Sequence, residues 1–299
     1  MKNLKNKKNN KINICGAFVD NYTFNETLLV IEKFLKEKRF HQIVTVNSEM
    51  IVDSQTDKEF LSVINNADLV TVDGSGILWA ASYLKKPLFN FPILKQIQAI
   101  FQAVFSLFLA LLFPKTLKRV IKERVSGSDL IWDICRLATE GGWSVFFLGG
   151  GQGVAQQTAE KIKEKYPNLK VAGTYPGSPK ETEKILQMIN QSKADILFVA
   201  WGAPKQDKWI AQNIKNFKTV KVAIGVGGSF DFIVGQTKYY DGRVEKVKRA
   251  PLFLRKMGLE WFWRFLNQPW RFKRVIKAVP VFIFQVIRFK IKKSRNGKS

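Results

Sequence analysis

The chain has 299 residues, enough for one large α/β domain or two small ones around a substantial core. Its 46% hydrophobic content excludes wholesale disorder. Lys+Arg number 49 against 24 Asp+Glu, a formal net charge of +25. Such a field calls for an anionic partner: nucleic acid, anionic lipid or a phosphorylated substrate. Cys15 and Cys135 are the only cysteines, which gives neither a disulfide framework nor a zinc site, and free thiols suit a reducing compartment. The one histidine, His41, cannot build a His-rich metal centre. It reads as an ordinary strand-entry or loop residue.

Residues 1–11 are rich in Lys and Asn and read as a solvated basic tail. No apolar stretch of a signal peptide follows, so the chain is expected on the cytoplasmic side. Residues 43–46 (IVTV) predict a short strand, 60–66 a helix and 69–72 (LVTV) the next strand. Residues 145–148 are a fully apolar strand running into Gly149, Gly150 and Gly151, with a helix over 154–165. Strands are expected at 169–172, 196–200 and 222–226, and a helix at 181–191. Short apolar strands spaced by amphipathic helices imply βαβ units. The fold class is therefore α/β, with a mostly parallel sheet covered by helices on both faces.

Two segments break this rhythm. Residues 97–113 (IQAIFQAVFSLFLALLF) are strongly apolar and flanked by Lys95 and by Lys115, Lys118, Arg119 and Lys122. At ~1.5 Å per residue the run is shorter than a hydrocarbon core of ~30 Å. A single span would also divide one sheet between two sides of a membrane. A re-entrant or interfacial helix is the preferred reading, with a buried helix or an oligomer contact as the alternatives. The tail over 249–299 interleaves basic residues with Trp261, Trp263, Phe265, Trp270 and Phe272, and its only acid is Glu260. This predicts a membrane-binding amphipathic appendage, against a helix that only packs on the domain.

Four polar clusters follow predicted strands, at the edge where open parallel sheets bind ligands. They are residues 45–49, 73–76, 149–153 and 202–207. Asp73 precedes glycines that allow close approach, so its carboxylate can act as general base towards a sugar hydroxyl. Capping of the helix that starts near Ile77 is its other reading. The loop at Gly149, Gly150 and Gly151 leads into a helix whose first N–H groups suit a phosphate. It lacks the Gly-Lys-Ser/Thr of a Walker loop. Lys205 and Gln206 are placed for a nucleotide or sugar. No Asp-x-Asp pair follows a strand, which weakens the case for a metal-held diphosphate; no cofactor is expected, and a departing diphosphate would be met by arginines and helix N-termini.

Together these stretches resemble the WecG/TagA/CpsF family of bacterial glycosyltransferases. The matching segments are VTVNSEMIV (44–52), ADLVTVDGSGILWA (67–80), ERVSGSDL (123–130), VFFLGGGQGVA (145–155), WGAPKQDKWI (201–210), GVGGSFDFIVG (225–235) and RAPLFLRKMGLEWFWRFLNQPWRF (249–272). The resemblance implies a Rossmann-like domain over 12–248 and a C-terminal helical appendage that meets the site at the membrane. It implies inverting transfer of an N-acetylmannosamine-type sugar from a UDP-sugar donor to polyprenyl-diphosphate-linked N-acetylglucosamine, without a metal. It places the base on Asp73 and substrate contacts on Thr45, Asn47, Arg124, Gln206, Arg249, Arg264 and Arg271. Residues 89–122 and the link from 235 to 249 are longer than the family pattern, and Asp207 stands where Glu is usual. The alternatives from another class are a basic nucleic-acid-binding α/β protein and a nucleotide-sugar epimerase or dehydrogenase. No Tyr-x-x-x-Lys pair in the required strand-to-helix context supports the latter.

Overall fold

A computed structural model describes residues 11–89, 91–113, 120–238, 244–247, 250–251, 253–254, 257, 259–267 and 272–295. Of the expected basic tail only Lys11 is among them, and it opens a strand. β1 (Lys11–Ile14) and β2 (Ala17–Asp20) form an antiparallel hairpin. Its two turn residues, Cys15 and Gly16, both have positive φ, which matches the twist of a two-residue hairpin. α1 (Phe24–Lys36) starts with a capping box between Thr23 and Glu26.

The centre is a six-stranded sheet of β3 (His41–Val46), β4 (Leu69–Val72), β5 (Ser144–Gly149), β6 (Lys170–Tyr175), β7 (Ile196–Ala200) and β8 (Val222–Gly225). The strand order is β4-β3-β8-β7-β5-β6, and every pair is parallel. The strands are apolar on both faces because both faces are covered. Ile43, Leu69, Phe147, Phe198 and Ile224 pack in one cluster with α1, α6 (Gly127–Gly141) and α7 (Val154–Lys165). α10 (Ser229–Val234) adds Phe230 to that cluster. Val44, Val46, Val70 and Val72 face the other way, onto α2 (Ser48–Thr56), α3 (Lys58–Asn66) and α4 (Ser75–Leu84). On that same face Leu148, Leu197 and Val199 pack under α8 (Thr182–Ser192) and α9 (Lys205–Gln212). A small antiparallel pair, β9 (Gln236–Lys238) and β10 (Val244–Lys246), follows α10.

The apolar segment forms α5 (Pro92–Leu112). Its inner face is packed: Ala99 and Ala103 are buried, the Tyr83 hydroxyl donates to the Ala99 carbonyl at 2.9 Å, and Trp79 Nε1 donates to Ser106 Oγ at 2.9 Å. Its outer face is open, with Phe101 68% exposed. Among the described residues no helix is long and apolar enough to cross a membrane. Short helices α11 (Glu260–Asn267) and α12 (Phe272–Ile276) precede a π-helical turn over 277–281 that contains Pro280, whose missing N–H accounts for the widened turn.

The final helix α13 (Phe282–Arg295) revises the expectation for the tail. Phe282, Val286 and Lys290 are buried against α2, α4 and α5, so this half of the appendage packs on the domain. Lys290 Nζ donates to the Tyr83 carbonyl at 2.8 Å and to Gln102 Oε1 at 2.7 Å, 4.0 Å from the centre of the Tyr83 ring. Burial, aided by the charge of Lys86, pulls this ammonium down to about 7. Phe282 meets Trp79 edge-on at 6.4 Å. Replacing Phe282 with alanine is expected to cost ~3–5 kcal/mol, the usual range for an emptied aromatic core site. Urea denaturation measures it, and a loss below ~1 kcal/mol would mean that α13 is dispensable to the core.

Candidate active site

Parallel strands bring all their carboxyl ends to one edge, and the polar clusters lie along it in the order of the strands. Asp73 follows β4, Asn47 follows β3, residues 226–228 follow β8, 201–204 follow β7 and 149–153 follow β5. At the β4 end the ladder continues beyond the strands. The Asp73 N–H donates to the Val46 carbonyl at 2.8 Å, and the Val125 N–H donates to the Val72 carbonyl at 2.8 Å. Asn47 and Arg124 are thereby held on either side of the β4 terminus, where Asp73 emerges. All three are half-buried.

Gly74 turns the chain out of β4 with φ 123 and ψ 145, a conformation open essentially to glycine alone. It occupies the N-cap position of α4, so Asp73 stands one residue outside the helix. A Cβ on Gly76 would lie 2.3 Å from Ser48 Oγ, so this glycine lets the first turns of α2 and α4 touch. Asn47 caps α2, its Oδ1 accepting from the Met50 N–H at 3.0 Å. Its amide nitrogen and a second acceptor site on Oδ1 are left to serve a ligand. Thr45 is largely buried, and its hydroxyl donates to the Gly225 carbonyl at 3.2 Å, joining β3 to β8.

Gln206 is buried, and its Oε1 accepts from both the Gly202 N–H and the Gly227 N–H, each at 3.0 Å. One side chain thus holds the β7 and β8 loops together. The sequence suggests a ligand contact here, but the amide oxygen is committed to this bridge. Next to it Asp207 is completely buried, and a Cβ on Gly225 would stand 2.5 Å from its Oδ1. Neither carboxyl oxygen has a hydrogen-bond partner of ordinary geometry. Burial pushes this acid up to about 7, against a smaller opposing effect of the Gln206 amide.

The glycine loop is shaped by Gly149, Gly150 and Gly153, all with positive φ, and the Gly150 N–H donates to the Ala200 carbonyl at 3.1 Å. Gly151 is buried between them. A Cβ on Gly149 would strike the Trp201 ring at 2.8 Å. Four inter-strand steps separate this loop from Asp73, roughly 19 Å at the usual sheet spacing. The two candidates therefore do not converge on one atom.

Of the appendage arginines, Arg249 and Arg271 lie outside the described residues. Arg264 falls on α11, with its side chain outside them. The contact that ties the appendage to this edge is another one. Arg274 forks onto Glu49, with Nε 2.9 Å from Oε1 and Nη2 2.9 Å from Oε2, and Lys277 pairs with Asp53. Both acids belong to α2, the helix that Asn47 caps. Nothing local in the sequence marks a pair 225 positions apart. His41 opens β3 at the opposite edge, buried and stacked on Phe34 at 3.8 Å, which agrees with a structural reading. Among the described residues no three metal-ligating side chains cluster. Both thiols are buried, with Cys15 pushed up to about 12 by desolvation and Cys135 pushed up likewise.

A parallel α/β sheet whose carboxyl edge carries a carboxylate, an arginine and glycine turns, extended by a basic helical appendage, is an architecture that can host a glycosyltransferase site. The chain belongs to the glycosyl transferase WecG/TagA/CpsF family, whose model matches residues 12–110 and 105–296. Over 289 residues it is 27% identical to the N-acetylglucosaminyldiphosphoundecaprenol N-acetyl-beta-D-mannosaminyltransferase of Staphylococcus aureus strain MRSA252, covering 95% of this chain and 96% of that protein. The counterparts from strains MW2 and N315 give the same identity and coverage. Family membership does not favour the nucleic-acid reading of the basic charge.

The state of Asp207 has a measurable consequence. Its folded pKa lies above its unfolded value, so the stability it contributes is complete below the unfolded pKa of ~3.9 and is lost as pH rises through about 7. The stability of Asp207→Asn relative to the unaltered protein should therefore grow across this window and level off above it. Thermal unfolding of both proteins from pH 4 to 8 measures the difference, and a constant difference would contradict a protonated Asp207.

Proposed function

We propose that this chain transfers an N-acetylmannosamine-type sugar from a UDP-sugar to polyprenyl-diphosphate-linked N-acetylglucosamine, with inversion, at the edge around Asp73. The observation that supports it best is the pair of backbone hydrogen bonds, Asp73 to Val46 and Val125 to Val72, that holds the backbones of Asn47, Asp73 and Arg124 around the end of β4. The activity for which the relatives are named supplies the sugar and the acceptor.

In this reading Asp73 accepts the proton of the acceptor hydroxyl as its oxygen bonds to the anomeric carbon from the face opposite the leaving group. The bond from that carbon to the diphosphate breaks, and the electron pair leaves on the phosphate oxygen. Arg124 faces the developing charge, with Arg249, Arg264 and Arg271 of the appendage closing over it. The Asn47 amide and the Thr45 hydroxyl contact the sugars. Gln206 acts by fixing the two neighbouring loops. The reacting carbon is bonded to the diphosphate, so the phosphate nearest it cannot sit in a loop roughly 19 Å from the base. Gly149, Gly150 and Gly151 are therefore assigned to the nucleoside end of the donor. The enzyme works at an anionic membrane surface on the cytoplasmic face, where its lipid-linked acceptor resides.

Asp73→Asn tests the assignment. With UDP-N-acetylmannosamine and a short-chain lipid-diphosphate acceptor, kcat is expected to fall by ~10²–10⁴-fold, the usual contribution of a general base. The melting temperature should hold, because the substitution is isosteric. Turnover close to that of the unaltered protein would remove Asp73 from the role.

A further inference from the structure

The strongest feature outside the site is the open face of α5. Leu94, Ile97, Phe101, Val104, Phe105 and Phe108 recur at helical spacing, and all are at least 49% exposed. The Phe101 and Phe105 rings lie parallel, 6.1 Å apart. α5 contains no acid, and its one charged residue, Lys95, is buried with Nζ 3.4 Å from the Ser294 carbonyl. Gln98 and Gln102 are bonded to the 87–89 loop, through the Phe89 N–H and the Pro87 carbonyl. A contiguous apolar face of this kind is rare on a soluble monomer unless something covers it.

The neighbouring helix indicates what covers it. Lys95 meets Ser294 and Gln102 meets Lys290, so α5 and α13 lie side by side and antiparallel. The exposed positions of α13 include Arg288, Lys292, Lys293 and Arg295, and α13 has no acid either. We propose that the α5–α13 pair is a docking surface for an anionic lipid bilayer, with α5 lying in the interface plane and the α13 cations meeting lipid phosphates. A second copy of the chain is a poorer occupant. A twofold contact through α5 would bring two cationic helices close together. A bilayer supplies both the apolar medium and the opposite charge.

This rests on the proposed reaction only in its choice of a lipid-borne acceptor. It adds a mechanical link: α4, which begins two residues after Asp73, is hydrogen-bonded to α5 through Trp79 and Tyr83. Docking of α5 therefore sets the height of the catalytic edge above the lipid.

The test is flotation of the full chain with vesicles of phosphatidylcholine mixed with phosphatidylglycerol, beside phosphatidylcholine alone. The unaltered protein should float with the anionic vesicles. The double variant Phe101→Glu with Phe105→Glu should bind roughly 100-fold more weakly, from two aromatic side chains kept out of the interface. Arg288→Gln with Lys292→Gln should bind roughly 30-fold more weakly, from the lost attraction of each basic side chain near an anionic surface, and its residual binding should depend less on salt. Both variants should keep normal turnover on a short-chain, water-soluble acceptor. Unchanged flotation by the Phe variant, or flotation unchanged while light scattering shows that it breaks a dimer, would overturn the proposal. A protein that floats as described yet transfers no sugar would leave the docking surface intact and defeat only the proposed reaction.

Discussion

Two backbone hydrogen bonds past the end of β4 organise the candidate site. Asp73 donates back to β3, and Val125 donates back to β4, so the sheet ladder runs on for one residue on each side. Backbone amides at a half-buried edge must find partners, and these pairings are what the edge offers. The backbones of Asn47, Asp73 and Arg124, from separate parts of the chain, are thereby brought to one strand end. Gly74 then makes the geometry usable, since a side chain at that position would not tolerate its backbone angles.

The same edge also shows how a buried amide can act at a distance. Gln206 receives two loop N–H groups on one oxygen, and the unpaired carboxyl of Asp207 lies beneath it. Burial there disfavours the charged form of this acid.

Much of the framework is legible in the residues. The strand at 196–200 and the helix at 154–165 carry the expected bounds, because their apolar runs are bracketed by turn residues. The expected edge for the ligand clusters follows from the same alternation. The β1–β2 hairpin escapes notice because KINI and AFVD are short and carry mixed polarity. The packing of α13 escapes for another reason. Its basic and aromatic residues fit an interface as well as a core, and only tertiary contacts show that Phe282 and Lys290 point inward. The Arg274–Glu49 fork is invisible for the plainest reason, since an ion pair between distant segments leaves no local pattern.

The partnership of α5 with α13 also sets an order of events during synthesis. Gln102 and its partner Lys290 are 188 positions apart. At a translation rate of ~5–20 residues per second, α5 leaves the ribosome roughly 10–40 s before the helix that covers its flank exists. For that interval its packed face has α4 as a partner but not α13. Early capture by a chaperone or by the membrane itself would shorten the exposure, and expression in a cell-free system without lipid should be the harshest setting for this chain.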